Sequence, residues 1–142
     1  MLFLLVGMIP LGVAMERTGL ASLVAAGVVD FASPHGPLLL IGAFYLLTSL
    51  LTEILSNNAA AVLLAPIGLG VAASLGMDPK PLLIAISFGA SASFATPIGY
   101  QTNTMVMGPG GYLFRDYLRA GLPLNIVMAI VATVLIPLFW PP

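Results

Sequence analysis

No cysteine occurs in the 142 residues, so disulfides and thiolate metal sites are excluded and the redox compartment is unmarked. Charge is almost as scarce. Asp, Glu, Lys and Arg make up 6% of the chain, against about 25% of an ordinary soluble domain. With 60% hydrophobic residues, a soluble fold of this size would lack the polar surface to cover itself. A lipid bilayer is the solvent that fits, and the expected fold class is an all-α integral membrane protein. The net charge of −1 points to no nucleic acid. A single histidine rules out HExxH, and no Ser/His/Asp arrangement can be assembled around it, so no enzyme is expected. The start MLFLLVGMIPLGVAMERTG has no basic n-region and no clear small-residue cleavage site, so it does not read as a signal peptide.

Glycine (15) and proline (12) are abundant instead. In a membrane chain they mark broken or closely packed helices, because neighbouring helices and water can satisfy the freed backbone groups. Five apolar stretches and one weakly apolar piece, 20–29, follow from the pattern. Residues 2–14 are too short for a full span and end at Glu16-Arg17. Residues 20–29 are weakly apolar, and a breaker at Ser33-Pro34-His35-Gly36-Pro37 follows. Residues 38–55 and 59–75 are long arms around Ser56-Asn57-Asn58, closed by the turn at 76–81. Residues 82–94 run into a polar segment, 95–103, and resume to Met107 before Gly108-Pro109-Gly110-Gly111. A polar, aromatic piece at 112–119 reads as interfacial. Residues 122–140 are the plainest span, with Trp140 as an anchor. The resulting units are 1–36 (short helices and loop), 37–76 (a helical pair with its tip at 56–58), 82–107 (a broken helix) and 112–140.

Ser56-Asn57-Asn58 has two readings. It is a surface turn joining two spans, or it is the tip of a re-entrant hairpin, where irregular backbone lines a protein cavity. The second break, centred on Thr96-Pro97 with Gly99, Gln101, Thr102 and Asn103, reads as a proline kink or as unwound backbone between two half-helices. Two interrupted segments close together are a sequence pointer to a transporter binding site. Half-helix ends offer carbonyls to a hard cation and N–H groups to an anion. Glu53 lies one turn before Asn57, and sequence assigns it no partner. His35 reads as a surface loop residue, the seven methionines as packing, and the 108–111 turn as a membrane edge rather than a phosphate loop.

The Thr-Glu-x-x-Ser-Asn run at 52–57, followed by Asn58-Ala59-Ala60, resembles the hairpin motif of the divalent-anion/sodium symporter family. The Ala95-Thr96-Pro97 break with Asn103 is similar to that family's unwound segment, and IPLGVAMERTGLA and FRDYLRAGLPLN also match members of the group. The resemblance implies a secondary carrier of a small divalent oxyanion, such as a dicarboxylate, citrate or sulfate, with Na+ as coupling ion and no organic cofactor. It implies that this chain is the C-terminal repeat, completed by an N-terminal repeat and working as a homodimer in a bacterial-type inner membrane. A sodium site would draw on Thr52, Leu55, Asn57 and the Ala95 carbonyl. Solute oxygens would meet Ser56, Asn57, Asn58, Thr96 and Pro97. Asn58 stands where the family usually has Thr, exchanging a hydroxyl for an amide that donates and accepts. The hairpin would enter from outside, and Arg115 and Arg119 would face the cytoplasm, with Lys80 as an exception to the positive-inside bias. A proton-coupled or exchange carrier using Glu53 and a non-transporting assembly subunit are the competing readings. The subunit reading predicts that the two breaks do not meet.

Overall fold

The computed structural model describes residues 17–19, 23, 26, 27, 29–31 and 33–142. The expectation for residues 2–14, and most of that for 20–29, therefore lies outside the described residues. Among the described residues every regular element is helical. His35 closes a 3-10 turn, Ser33–His35, and sits exposed with Nδ1 2.8 Å from Phe31 O.

The first long helix, α1 (Pro37–Thr52), starts on a proline, whose fixed φ suits the first turn and whose missing N–H costs nothing there. It stops three residues earlier than the apolar run. Ile54 N and Leu55 N both donate to Leu51 O, closing the end, and Ser56 is extended at φ −68, ψ 151. That conformation lets the Ser56 hydroxyl cap α2 (Asn57–Leu75), accepting from Ala59 N at 3.3 Å. The non-helical tip is thus 53–56, and Asn57 and Asn58 belong to the first turn of α2. Apolarity overshot the helix end because Ile54 and Leu55 continue the hydrophobic pattern without the helix. Helix α2 ends at Gly76, which is left-handed at φ 65, with Met77 N donating back to Ala72 O at 3.0 Å.

Helix α3 (Lys80–Ser91) ends before the second break, and α4 (Gln101–Met107) resumes after it. The non-helical stretch is 92–100, shifted toward the N-terminus from the expected 95–103. Pro97 disfavours helix at Thr96, and side chains from elsewhere take the carbonyls that α3 leaves open. The polar aromatic piece at 112–119 is not separate. It forms the opening turns of α5 (Phe114–Phe139), whose Asp116 carboxylate accepts from Leu113 N at 2.8 Å.

Helix α1 is the centre of the packing. It lies against α3 most extensively and also touches α2 and α5. Leu40, Ile41, Phe44, Leu64, Leu82 and Ile86 are fully enclosed among these helices. Val62, Leu69, Ile130 and Leu138 point outward instead, as apolar residues do when lipid or further protein surrounds a helix. Among the described residues two helices, Asn57–Leu75 and Phe114–Phe139, are long and apolar enough to cross a membrane. The 16 residues of α1 and the 12 of α3 give only about 24 and 18 Å of helix, short of a hydrocarbon core of about 30 Å.

Tyr45 on α1 is 1% exposed, and its hydroxyl has no hydrogen-bond partner among the described residues. An unmet buried hydroxyl is a net cost. Tyr45→Phe is therefore expected to raise stability by about 1 kcal/mol in thermal unfolding. A destabilised variant would mean that the hydroxyl has a partner.

Candidate functional site

The tip after α1 packs directly onto the 92–100 break. Two clusters of polar atoms form at that contact.

Glu53 holds the first. Its Oε1 accepts from Ala95 N at 2.8 Å and from Asn125 Nδ2 at 2.7 Å, and its Oε2 accepts from Thr96 N at 2.7 Å. The Ser93 hydroxyl lies 3.5 Å from Oε2 and 3.3 Å from the Thr52 carbonyl. The Glu53 carbonyl accepts the Thr96 hydroxyl at 2.7 Å. All these partners of the carboxylate are neutral donors, the complement of its acceptor-only oxygens. They come from the break and from α5, so one side chain ties three parts of the fold together.

Asn57 centres the second cluster. Its amide has two orientations, which differ by exchanging nitrogen and oxygen. With the nitrogen turned in, it donates to Thr52 Oγ1 at 3.0 Å and to the Ala90 and Gly99 carbonyls at 3.2 Å each. With the oxygen turned in, Thr52 Oγ1 donates to Oδ1 at 3.0 Å, and the two carbonyls face an oxygen. The Thr52 hydroxyl is also 3.0 Å from Ala90 O. The first orientation satisfies every partner; in the second, Thr52 Oγ1, Asn57 Oδ1, Ala90 O and Gly99 O converge. That is a neutral oxygen set of the kind a hard cation takes, with no carboxylate at the point of convergence.

The break is shaped to permit this. A Cβ on Gly99 would lie 1.9 Å from Thr52 O and 2.1 Å from Ser93 Oγ, so only glycine fits. Ser49 Oγ donates to Ala92 O at 3.0 Å, and Asn103 Nδ2 donates to Ser93 O at 3.0 Å and Thr96 O at 3.3 Å. Thr104 Oγ1 donates to Pro97 O, and the Tyr117 hydroxyl to Asn103 O at 2.8 Å. The unwound carbonyls of Ala92, Ser93, Thr96 and Pro97 are thus satisfied by neutral side chains on both sides of the break.

Of the residues singled out from sequence, Thr52 and Asn57 come together at the oxygen set. Their carbonyl partners here are Ala90 and Gly99. Ala95 enters through its N–H to Glu53, and Leu55 is buried beside the tip with its N–H on Leu51 O at 2.8 Å. Ser56 and Asn58 are exposed at the start of α2, Ser56 as its cap. Thr96 is turned toward Glu53, and Pro97 is buried in the break. Ser93 and Asn125 were not singled out, although Asn125, the sole amide within the apolar run 122–140, is a signal that sequence offers.

A model of the citrate transporter family matches residues 1–141. The chain belongs to the citrate transporter family. An uncharacterized transporter of Synechocystis sp. is 48% identical over 139 residues, covering 98% of this chain and 23% of that protein. The transporter YfbS of Escherichia coli is 38% identical over 140 residues, covering 99% of this chain and 23% of its own length. Sodium/sulfate cotransporter 1 of Chlamydomonas reinhardtii is 38% identical over 122 residues, covering 84% of this chain and 14% of that protein. The chain thus spans less than a quarter of the length of these relatives. Citrate transporter family members and these relatives are transporters, not enzymes.

Proposed function

We propose that this chain supplies one cation site and half of a solute site to a Na+-coupled carrier of a small divalent oxyanion, such as a dicarboxylate, citrate or sulfate. The observation that carries this reading is the convergence of Thr52 Oγ1, Asn57 Oδ1, Ala90 O and Gly99 O where the two breaks meet. An assembly subunit with no transport role gives no reason for the two interruptions to meet around a cluster of oxygens centred on Asn57. A relative named for sodium and sulfate supports the same pairing of cation and anion.

The sodium set is Thr52, Leu55, Asn57 and Ala95, joined by the Ala90 and Gly99 carbonyls. Solute oxygens meet Ser56, Asn57, Asn58, Thr96 and Pro97 beside it, at the exposed start of α2. Helices α1 and α2 act as a re-entrant hairpin. The shortness of α1 supports this, since about 24 Å of helix stops short of the far side of the bilayer. Tip and break then lie at membrane depth, where neutral oxygens bind a cation without burying a second charge. The repeat that completes the solute site and a homodimeric assembly belong to this proposal.

The test is uptake of labelled citrate and sulfate into proteoliposomes of the carrier that contains this chain. Uptake is expected to require Na+ outside and to fall at least tenfold in Asn57→Ala. Uptake equally fast in choline and sodium would end the coupling claim.

A further inference from the structure

Glu53 is the only buried charged side chain among the described residues. A carboxylate at membrane depth is costly and usually has a cationic partner. None of the four basic residues, Arg17, Lys80, Arg115 and Arg119, bonds to it, and all four are exposed. The chain instead devotes two backbone N–H groups, the Asn125 amide and the Ser93 hydroxyl to holding this oxygen pair. The acceptor-only carboxylate fits all four donors, whereas a glutamine NH2 would face at least one of them; the charge that comes with it still needs a use.

The position explains it. Glu53 follows Thr52, whose hydroxyl belongs to the oxygen set, and the Ser93 hydroxyl lies between Glu53 Oε2 and the Thr52 carbonyl. We infer that Glu53 is a positioning residue and fixed counter-charge for the cation site: braced by Ala95 N, Thr96 N and Asn125, it makes the neutral oxygens selective for a cation. A unit charge within roughly 10 Å of the oxygens, at an effective dielectric of about 20, changes cation affinity by about tenfold or more. This inference rests on the cation site proposed above.

The experiment is a Na+ titration of thermal stability for the chain in lipid nanodiscs, with choline holding ionic strength constant, since a ligand that binds the folded state raises its melting temperature. The wild type is expected to be stabilised by Na+ and not by choline. Glu53→Gln should shift the Na+ midpoint upward by about tenfold or more. Should Glu53→Gln fail to fold, the double variant Glu53→Gln/Asn125→Asp keeps one carboxylate and one amide in the same contact and should restore a Na+ midpoint within a few-fold of wild type. A bracing role alone would lower the melting temperature and leave the midpoint where it was. A Glu53→Gln midpoint equal to wild type, or a folded double variant with no Na+ response, overturns the inference and leaves the cation site standing. No Na+ response in the wild type removes the cation site itself, and the counter-charge with it.

Discussion

Replacing Gly99 with alanine is expected to destroy the contact between the tip and the break. The added Cβ would lie 1.9 Å from the Thr52 carbonyl oxygen and 2.1 Å from Ser93 Oγ. The first of these is backbone at the end of α1 and cannot rotate aside. Overpacking a filled interior costs about 1–3 kcal/mol, and a clash with backbone belongs at the upper end. Gly99 also supplies one of the oxygens around Asn57, so any shift that relieves the clash pulls the carbonyl away. Gly99→Ala should therefore lose about 3 kcal/mol of stability and any Na+-dependent shift in melting temperature. Gly70→Ala, in α2 with open space around its Cβ, is the control and should be neutral or slightly stabilising. Similar behaviour of the two variants in thermal unfolding would contradict the packing described.

Removing the Glu53 carboxylate altogether should be the most destabilising single change at the site. In Glu53→Ala the N–H groups of Ala95 and Thr96 and the Asn125 amide lose their acceptor. Each buried unmet donor costs about 1–3 kcal/mol, so the variant should lose at least about 3 kcal/mol. Glu53→Gln keeps an acceptor oxygen and should lose less. The ordering of the two, read from thermal unfolding in detergent, separates hydrogen bonding from charge. Equal melting temperatures for wild type and Glu53→Ala would mean that the carboxylate does not hold the break.

The helices were legible in the sequence because their causes are local. Pro37 starts α1, the Ser56 hydroxyl caps α2, Gly76 ends it, and Pro97 interrupts the stretch at 82–107. The meeting of the two breaks was legible only as a pattern of interruptions. What could not be read was the pairing across them. The partners of Glu53 lie 42, 43 and 72 residues away, and two of them are backbone N–H groups, which no residue type announces. The oxygen set was half legible for the same reason. Thr52 and Asn57 are side chains with a spacing, while Ala90 and Gly99 contribute carbonyls that any residue carries. The last span is almost uniformly apolar, and the fold turns its one amide, Asn125, onto Glu53.

The exposed apolar residues of α2 and α5 fit a chain that spans less than a quarter of the length of its relatives. The site is built the other way, with its polar atoms gathered at one contact and its helix ends turned inward. Chemistry there depends on how firmly tip and break are held, which is why the largest expected effects fall on Gly99 and Glu53 rather than on the exposed Ser56 and Asn58.

The central claim is that tip and break together form a cation site. Equilibrium binding of radiolabelled sodium to the chain in lipid nanodiscs tests it most directly. Saturable binding at about one ion per chain is predicted, displaced by excess unlabelled Na+ and lost in Asn57→Ala. Binding that never saturates, or that persists unchanged in Asn57→Ala, would contradict it.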